Sequence, residues 1–101
     1  MPKLYEYFGL VVLFYSNEHD PVHVHGKYQD RESKAELIIE EGVVVEIRFG
    51  PVRGRRPLAD AQLRDFETLT RHFADDIIRK WIDYFVLNRQ IPAVTVNRRL
   101  R

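Results

Sequence analysis

Three of the four histidines in this 101-residue chain fall within seven positions, at His19, His23 and His25. An imidazole changes charge near neutral pH and is the commonest nitrogen ligand for metals in proteins. His23 and His25 are spaced i, i+2, so an extended strand would carry both side chains on one face. The preceding loop adds His19 and the carboxylate of Glu18. The sequence therefore predicts that any chemistry resides in this segment.

Metal-free acid–base catalysis is the first chemistry that this cluster could perform. One of His23 and His25 would act as general base and the other as general acid in cleaving a phosphodiester, with Glu18 or His19 orienting them. RNA is a suitable substrate because its own 2′-hydroxyl supplies the nucleophile. On this interpretation the protein is a metal-independent, ribonuclease-like enzyme that needs no cofactor.

A metal site is the second interpretation of the same residues. His23 and His25 could supply two ligands to zinc or another divalent ion, with His19, Glu18 or Asp20 as the third, and leave a fourth position open. Without any cysteine, the chain has neither disulfides nor thiolate ligands. A third interpretation is non-catalytic, with the histidines on the solvent face of a strand and a role confined to binding.

Basic side chains are concentrated in two segments although the net charge is only +1. Arg53, Arg55 and Arg56 lie in a loop without any acidic residue, and the tail after residue 86 carries four more arginines, again without an acidic residue. Guanidinium groups suit phosphates and carboxylates. The three loop arginines, together with Lys27 beside the histidines, are the predicted phosphate-binding residues.

The first half of the chain has the pattern of β-strands. Apolar and alternating runs are separated by Gly9 and by Glu41-Gly42, which fit tight hairpin turns. Pro21 places a loop before the histidine strand. The predicted strands cover residues 4–8, 10–15, 22–29, 34–40 and 43–49.

The second half has the 3.6-residue periodicity of amphipathic helices. Asp60 is the predicted N-cap, and a break is expected between His72 and Asp75, although one long helix is an alternative. Residues 93–96 could add a short final strand. The predicted fold is α+β, with a twisted antiparallel sheet of four or five strands and two C-terminal helices on one face. We expect residues 1–101 to form one domain.

Two motifs resemble a bacterial family of short proteins, domain-of-unknown-function family 4160. The first is the run Phe14-Tyr15-Ser16-Asn17-Glu18-His19-Asp20-Pro21-Val22-His23-Val24-His25, and the second is Lys80-Trp81-Ile82-Asp83-Tyr84-Phe85. The resemblance covers residues 1–86 and leaves 87–101 as a basic extension. The genes of this family often stand in small two-gene operons, so the resemblance implies that this protein is a component of a toxin–antitoxin-like module.

Taken together, the residues and the resemblance predict a small protein that binds or cleaves RNA. A non-catalytic module that pairs with the protein of a neighbouring gene, or with itself as a homodimer, is the alternative. Its interface would be the exposed sheet face or an edge strand near residues 93–96. No segment has the pattern of a signal peptide or a membrane span, so a cytoplasmic protein is expected.

Overall fold

A computed structural model describes residues 2–15 and 22–100 of the chain. The elements follow in the order of six strands and two helices, with the helices inserted before the last strand. The strands are β1 (Lys3–Tyr7), β2 (Leu10–Leu13), β3 (His23–Tyr28), β4 (Arg31–Glu40), β5 (Val43–Pro51) and β6 (Val94–Thr95). The helices are α1 (Asp60–His72) and α2 (Ala74–Trp81), followed by one π-helical turn, Ile82–Val86.

The six strands form one sheet in the order β5-β4-β3-β2-β1-β6. Neighbours from β1 to β5 are antiparallel, whereas β6 pairs with β1 in parallel. The predicted α+β class is confirmed, but the sheet has six strands rather than four or five and is mixed rather than wholly antiparallel. The difference is β6, two residues long, which the sequence indicated only as an optional strand over residues 93–96.

Three two-residue turns connect the antiparallel strands. Phe8 and Gly9 have φ of 50° and 89°, and Glu41 and Gly42 have φ of 53° and 79°. Positive φ at both central positions is what a type I′ hairpin requires, and both predicted hairpins are confirmed. The third turn joins β3 to β4 and begins at Gln29, which also has a positive φ, 55°. No glycine marks this turn, so the sequence did not predict it.

One face of the sheet is covered by the helices, as predicted. Phe66 of α1 packs so closely on β3 that a Cβ on Gly26 would lie 2.7 Å from its ring. Tyr5 of β1 stacks on Phe73 with ring centroids 4.5 Å apart. Phe14, just after β2, meets Trp81 edge to face at 5.3 Å. Buried Tyr5, Phe14, Phe66 and Trp81 belong to the core, and partly buried Phe73 packs against it; together they fix the helices against β1, β2 and β3.

The helical region is broken where the sequence predicted. α1 ends at His72 and α2 begins at Ala74. The predicted N-cap was wrong: Ala59 occupies that position, and no side chain caps the helix. Asp60 is instead the first helical residue, where its charge still interacts favourably with the helix dipole. Within the described residues no helix is both long and apolar enough to cross a bilayer.

The C-terminal segment lies along the outer edge of β1. The amide of Val96 donates to the carbonyl of Glu6 over 2.9 Å, and the amide of Leu100 donates to the Tyr7 hydroxyl over 2.9 Å. Arg99 lies 3.1 Å from the Asp65 carboxylate. The basic extension is thus attached to the sheet and to α1 through residue 100.

Candidate functional site

The histidines of β3 lie on the face of the sheet opposite the helices. Register shows this directly, since Val24 is paired with Ala35 of the core while His25 is paired with Lys34. His25 is nonetheless buried, with 8% of its surface exposed. Its Nδ1 lies 2.9 Å from Oε2 of Glu32 on β4, within hydrogen-bond distance. The central feature of the site is therefore a buried histidine–carboxylate pair.

Glu32 also receives contacts from outside the β3–β4 hairpin. The Tyr15 hydroxyl donates to the same Oε2 over 2.7 Å, and the Tyr15 ring meets the His25 ring edge to face at 4.4 Å. Arg55 Nε lies 3.4 Å from the other oxygen, Oε1. Glu32 is only 1% exposed, so His25 and Tyr15 replace water at Oε2, whereas Oε1 accepts no hydrogen bond from the described residues and has the charge of Arg55 beside it.

Two lysines flank the His25–Glu32 pair. In the β3–β4 ladder His25 is opposite Lys34, and Lys27 is opposite Glu32. The four side chains therefore occupy adjacent positions on one face, with His25 and Glu32 on one diagonal and the lysines on the other. This arrangement places two cations beside the imidazole. Lys27 was predicted for this role, whereas Lys34 was not.

His23 is close to His25, as the i, i+2 spacing predicts. The ring centroids are 5.5 Å apart, and the His23 ring is 5.9 Å from that of Trp81. His23 is half-buried at the start of β3. Two imidazoles thus lie together on the face of the sheet opposite the helices, which we call the open face. The aromatic end of α2 lies beside them.

The arginine loop is attached to the start of β4 rather than extended into solvent. The amide of Glu32 donates to the carbonyl of Arg56 over 2.8 Å, and the amide of Leu58 donates to Ser33 Oγ over 3.1 Å. Arg55 faces Glu32, while Arg56 lies 3.7 Å from Asp30 on the surface. Arg53 is exposed. The structure thus brings Arg55 to the histidine site. In the described part of the chain, no contact is seen between the histidines and Arg53 or Arg56.

Two predicted site residues, Glu18 and His19, lie outside the described residues. The metal hypothesis takes its third ligand from His19, Glu18 or Asp20, all outside the described residues, and it stays a prediction. Among residues 2–15 and 22–100, no three histidine, aspartate or glutamate side chains converge as a metal-binding group.

A shallow cavity of about 300 Å³ adjoins the histidine site on the same face. Val11 and Leu13 of β2 form its apolar floor, and Lys3 and Lys27 lie at its sides. Leu13 is paired with His25 and Val11 with Lys27, so the cavity directly adjoins the candidate catalytic histidines. An apolar floor between cations suits a flat ring that carries phosphate.

Glu32, Tyr15 and Lys34 are the site residues that sequence reasoning missed. The predicted strand began at residue 34, which left Glu32 in a loop. A two-residue turn at Gln29-Asp30 would have placed Glu32 diagonal to His25. Tyr15 also had a signal, because it is two residues beyond Leu13 and therefore shares the face of that strand.

This arrangement can hold one imidazole in a fixed tautomer. An ionised carboxylate only accepts hydrogen bonds, so Nδ1 of His25 carries the proton that faces Glu32. The basic lone pair is then on Nε2, the tautomer that a general base needs. The second imidazole and the flanking lysines add a proton donor and positive charge beside it.

A family model described as Domain of unknown function (DUF4160) matches residues 9–82. No curated protein and no solved structure matches the chain. The matched range spans nearly three quarters of the sequence and includes His23, His25, Glu32 and Arg55. It confirms the resemblance suggested by the two motifs: the chain belongs to the DUF4160 family.

Proposed function

We propose that this protein cleaves single-stranded RNA by metal-independent acid–base catalysis on the open face of its sheet. The observation that carries the proposal is the buried contact between His25 and Glu32, supported by Tyr15 and Arg55. A carboxylate that orients an imidazole prepares it to take a proton. The buried charge of Glu32 is costly, and one of the groups that compensate for it is a histidine.

His25 is the general base in this scheme. Its Nε2 takes the proton of a ribose 2′-hydroxyl, and the oxygen attacks the adjacent phosphorus. Glu32 stabilises the imidazolium that forms, through the hydrogen bond to Nδ1. The bond from phosphorus to the 5′-oxygen of the next nucleotide then breaks. The products are a 2′,3′-cyclic phosphate and a free 5′-hydroxyl.

His23 is the general acid, because its ring is 5.5 Å from that of His25 and can reach the leaving oxygen on the other side of one phosphate. It donates the proton that the 5′-oxygen needs as it departs. Lys27 and Lys34 stabilise the charge that develops on the non-bridging phosphate oxygens. Arg55 serves mainly to fix Glu32, since its guanidinium faces that carboxylate.

The cavity next to the histidines favours a single-stranded substrate. A base can lie on Val11 and Leu13 only when it is not paired within a duplex. Lys27 at one side matches a phosphate next to that nucleotide, whereas Lys3 at the other side is ion-paired with Glu6 over 3.2 Å. Phosphate contacts of this kind make binding weaken steeply as salt concentration rises.

The test is a cleavage assay with purified protein and an end-labelled single-stranded RNA in the presence of a metal chelator. We expect His25→Ala and His23→Ala each to lower the cleavage rate by about 10²-fold to 10⁴-fold, the usual contribution of a positioned acid or base. His72→Ala is the matched control, because His72 is exposed at the end of α1 and contacts Phe73 rather than the site.

Cleavage that persists in His25→Ala, or that is equally slow in His72→Ala, would refute the assignment. An all-deoxy oligonucleotide of the same sequence must remain intact, since it has no 2′-hydroxyl.

We further infer that the protein acts as a component of a toxin–antitoxin-like module. Induced expression in bacteria should then arrest growth with the wild type and not with the His23→Ala/His25→Ala double variant.

A further inference from the structure

The β4–β5 hairpin extends beyond the rest of the sheet. The ladder between β3 and β4 ends at His23 opposite Glu36, with one further hydrogen bond from the Leu37 amide to the Val22 carbonyl over 2.8 Å; past Leu37, the described part of the chain pairs β4 with β5 alone. This extension, residues 38–46, carries Ile39, Val43 and Val45, which are 38%, 60% and 54% exposed. A two-stranded ribbon with exposed aliphatic side chains is marginal in water and is a typical contact surface.

The two edges of the sheet differ in whether they are protected. At one edge, β6 is only two residues long and the C-terminal segment lies beside β1. At the other edge, β5 is nine residues long, and the described residues add no strand outside it. An unpaired edge of this length is a template for a further strand. The available edge is thus opposite the one near residues 93–96 that the sequence indicated.

We propose that β5 pairs antiparallel with β5 of a second copy of this chain, about a two-fold axis at Ile47. The charges on β5 determine this register. Glu46 and Arg48 are the only charged residues of β5; both are exposed, lie on the same face and are ion-paired with each other over 2.7 Å. An axis at Ile47 places Glu46 opposite Arg48 of the second copy, twice. An axis at Glu46 or at Arg48 would instead oppose like charges, which is unfavourable.

The same register covers Val45, one of the three exposed aliphatic side chains of the hairpin extension. Val45 comes to lie beside Phe49 of the second copy, and Ile47 meets its own counterpart. The regular pairing ends near Val45, where β5 has an extra residue between the partners of Ile38 and Ile39. A two-fold axis normal to the sheet keeps each face continuous, so both His25 sites lie on one face of a doubled sheet.

Charge reversal tests the pairing. The wild type should have twice the 12.0 kDa chain mass in light scattering. Glu46→Arg and Arg48→Glu each put two pairs of like charges in opposition, and each should raise the dimer dissociation constant at least about tenfold. The double variant restores opposite charges with their positions exchanged, and it should dimerise like the wild type. A wild type that is monomeric at every soluble concentration would refute the proposal.

Cysteine cross-linking tests the register, because the chain has no cysteine of its own. Ile47→Cys places two thiols directly opposite each other, at a backbone separation that a disulfide spans. Val43→Cys is the matched control on the same strand, since its counterpart would be roughly 26 Å away. Oxidation should link the first variant and not the second. Equal linking of both, or linking through residue 43 alone, would contradict the axis at Ile47.

Discussion

Replacing Glu32 by glutamine should reverse the tautomer of His25. In the wild type the carboxylate accepts from Nδ1 of His25 and from the Tyr15 hydroxyl at one oxygen, while Arg55 Nε faces the other. Glutamine has the same shape but one oxygen and one NH₂ group. Its NH₂ group cannot face Arg55, because both are donors. The amide oxygen therefore turns toward Arg55, and the NH₂ group turns toward His25.

The size of this effect follows from the hydrogen bonds involved. A bond to an ionised acceptor is worth about 2 kcal/mol, so the wild type should favour the Nδ1–H form about thirtyfold. In Glu32→Gln the NH₂ group donates to Nδ1, which then carries no proton, and the Nε2–H form should dominate. The unfolding free energy should fall by about 1–2 kcal/mol, since Tyr15 loses its charged acceptor.

Nitrogen-15 NMR of the imidazole rings measures the tautomer directly, above the pH range in which histidine is charged. The His25 signals are assigned by their loss in His25→Ala. Adding Arg55→Ala to Glu32→Gln removes the donor that fixed the amide, so the amide oxygen can turn back to His25 and Tyr15. The double variant should therefore return to the Nδ1–H form and recover part of the cleavage rate.

A folded Glu32→Gln variant in which His25 keeps the Nδ1–H form would refute this reasoning. So would a double variant with the same tautomer as the single one, because the role of Arg55 in orienting the amide would then be absent.

Two further changes test the packing that supports the site. Burial, together with the hydrogen bond to Asp76, raises the pKa of Tyr5 well above its ordinary value near 10. The contribution of protonated Tyr5 to the folded state is complete below pH 10 and is lost as the pH rises above it, because only the unfolded chain ionises there. Relative to Tyr5→Phe, the unfolding free energy of the wild type should fall by about 1.4 kcal/mol by pH 11, as measured by urea denaturation. Gly26→Ala should destabilise by about 1–3 kcal/mol, because its Cβ would lie 2.7 Å from the buried Phe66 ring. Gly50→Ala, whose Cβ meets nothing within 4 Å, should change stability by less than about 0.5 kcal/mol, and equal losses in the two variants would contradict the close packing of α1 on β3.

Alternation along β3 was sufficient to predict which histidines lie together on one face. Val24 and Gly26 face the core and His23 and His25 face away, because side chains in a strand alternate whatever the tertiary structure. Glycine predicted two hairpin turns equally directly, and the charge pattern predicted the break between α1 and α2. These features depend on residues close together in sequence.

The carboxylate partner of His25 was not predicted because it depends on register. Glu32 meets His25 only if the chain turns at Gln29 and Asp30, and Gln29 adopts positive φ without being glycine. Arg55 was predicted as a phosphate ligand because loop arginines suit phosphates, yet its partner is Glu32. That contact depends on the loop lying along β4, which no local pattern indicates.

The most direct test of the central claim is the chemical identity of RNA ends after incubation with the purified protein in chelator. Attack by a 2′-hydroxyl activated by His25 yields a 2′,3′-cyclic phosphate and a 5′-hydroxyl, and we expect both with the wild type and with His72→Ala. His25→Ala should leave the RNA intact. Ends bearing a 3′-hydroxyl and a 5′-phosphate, or RNA left whole by the wild type, would contradict the account.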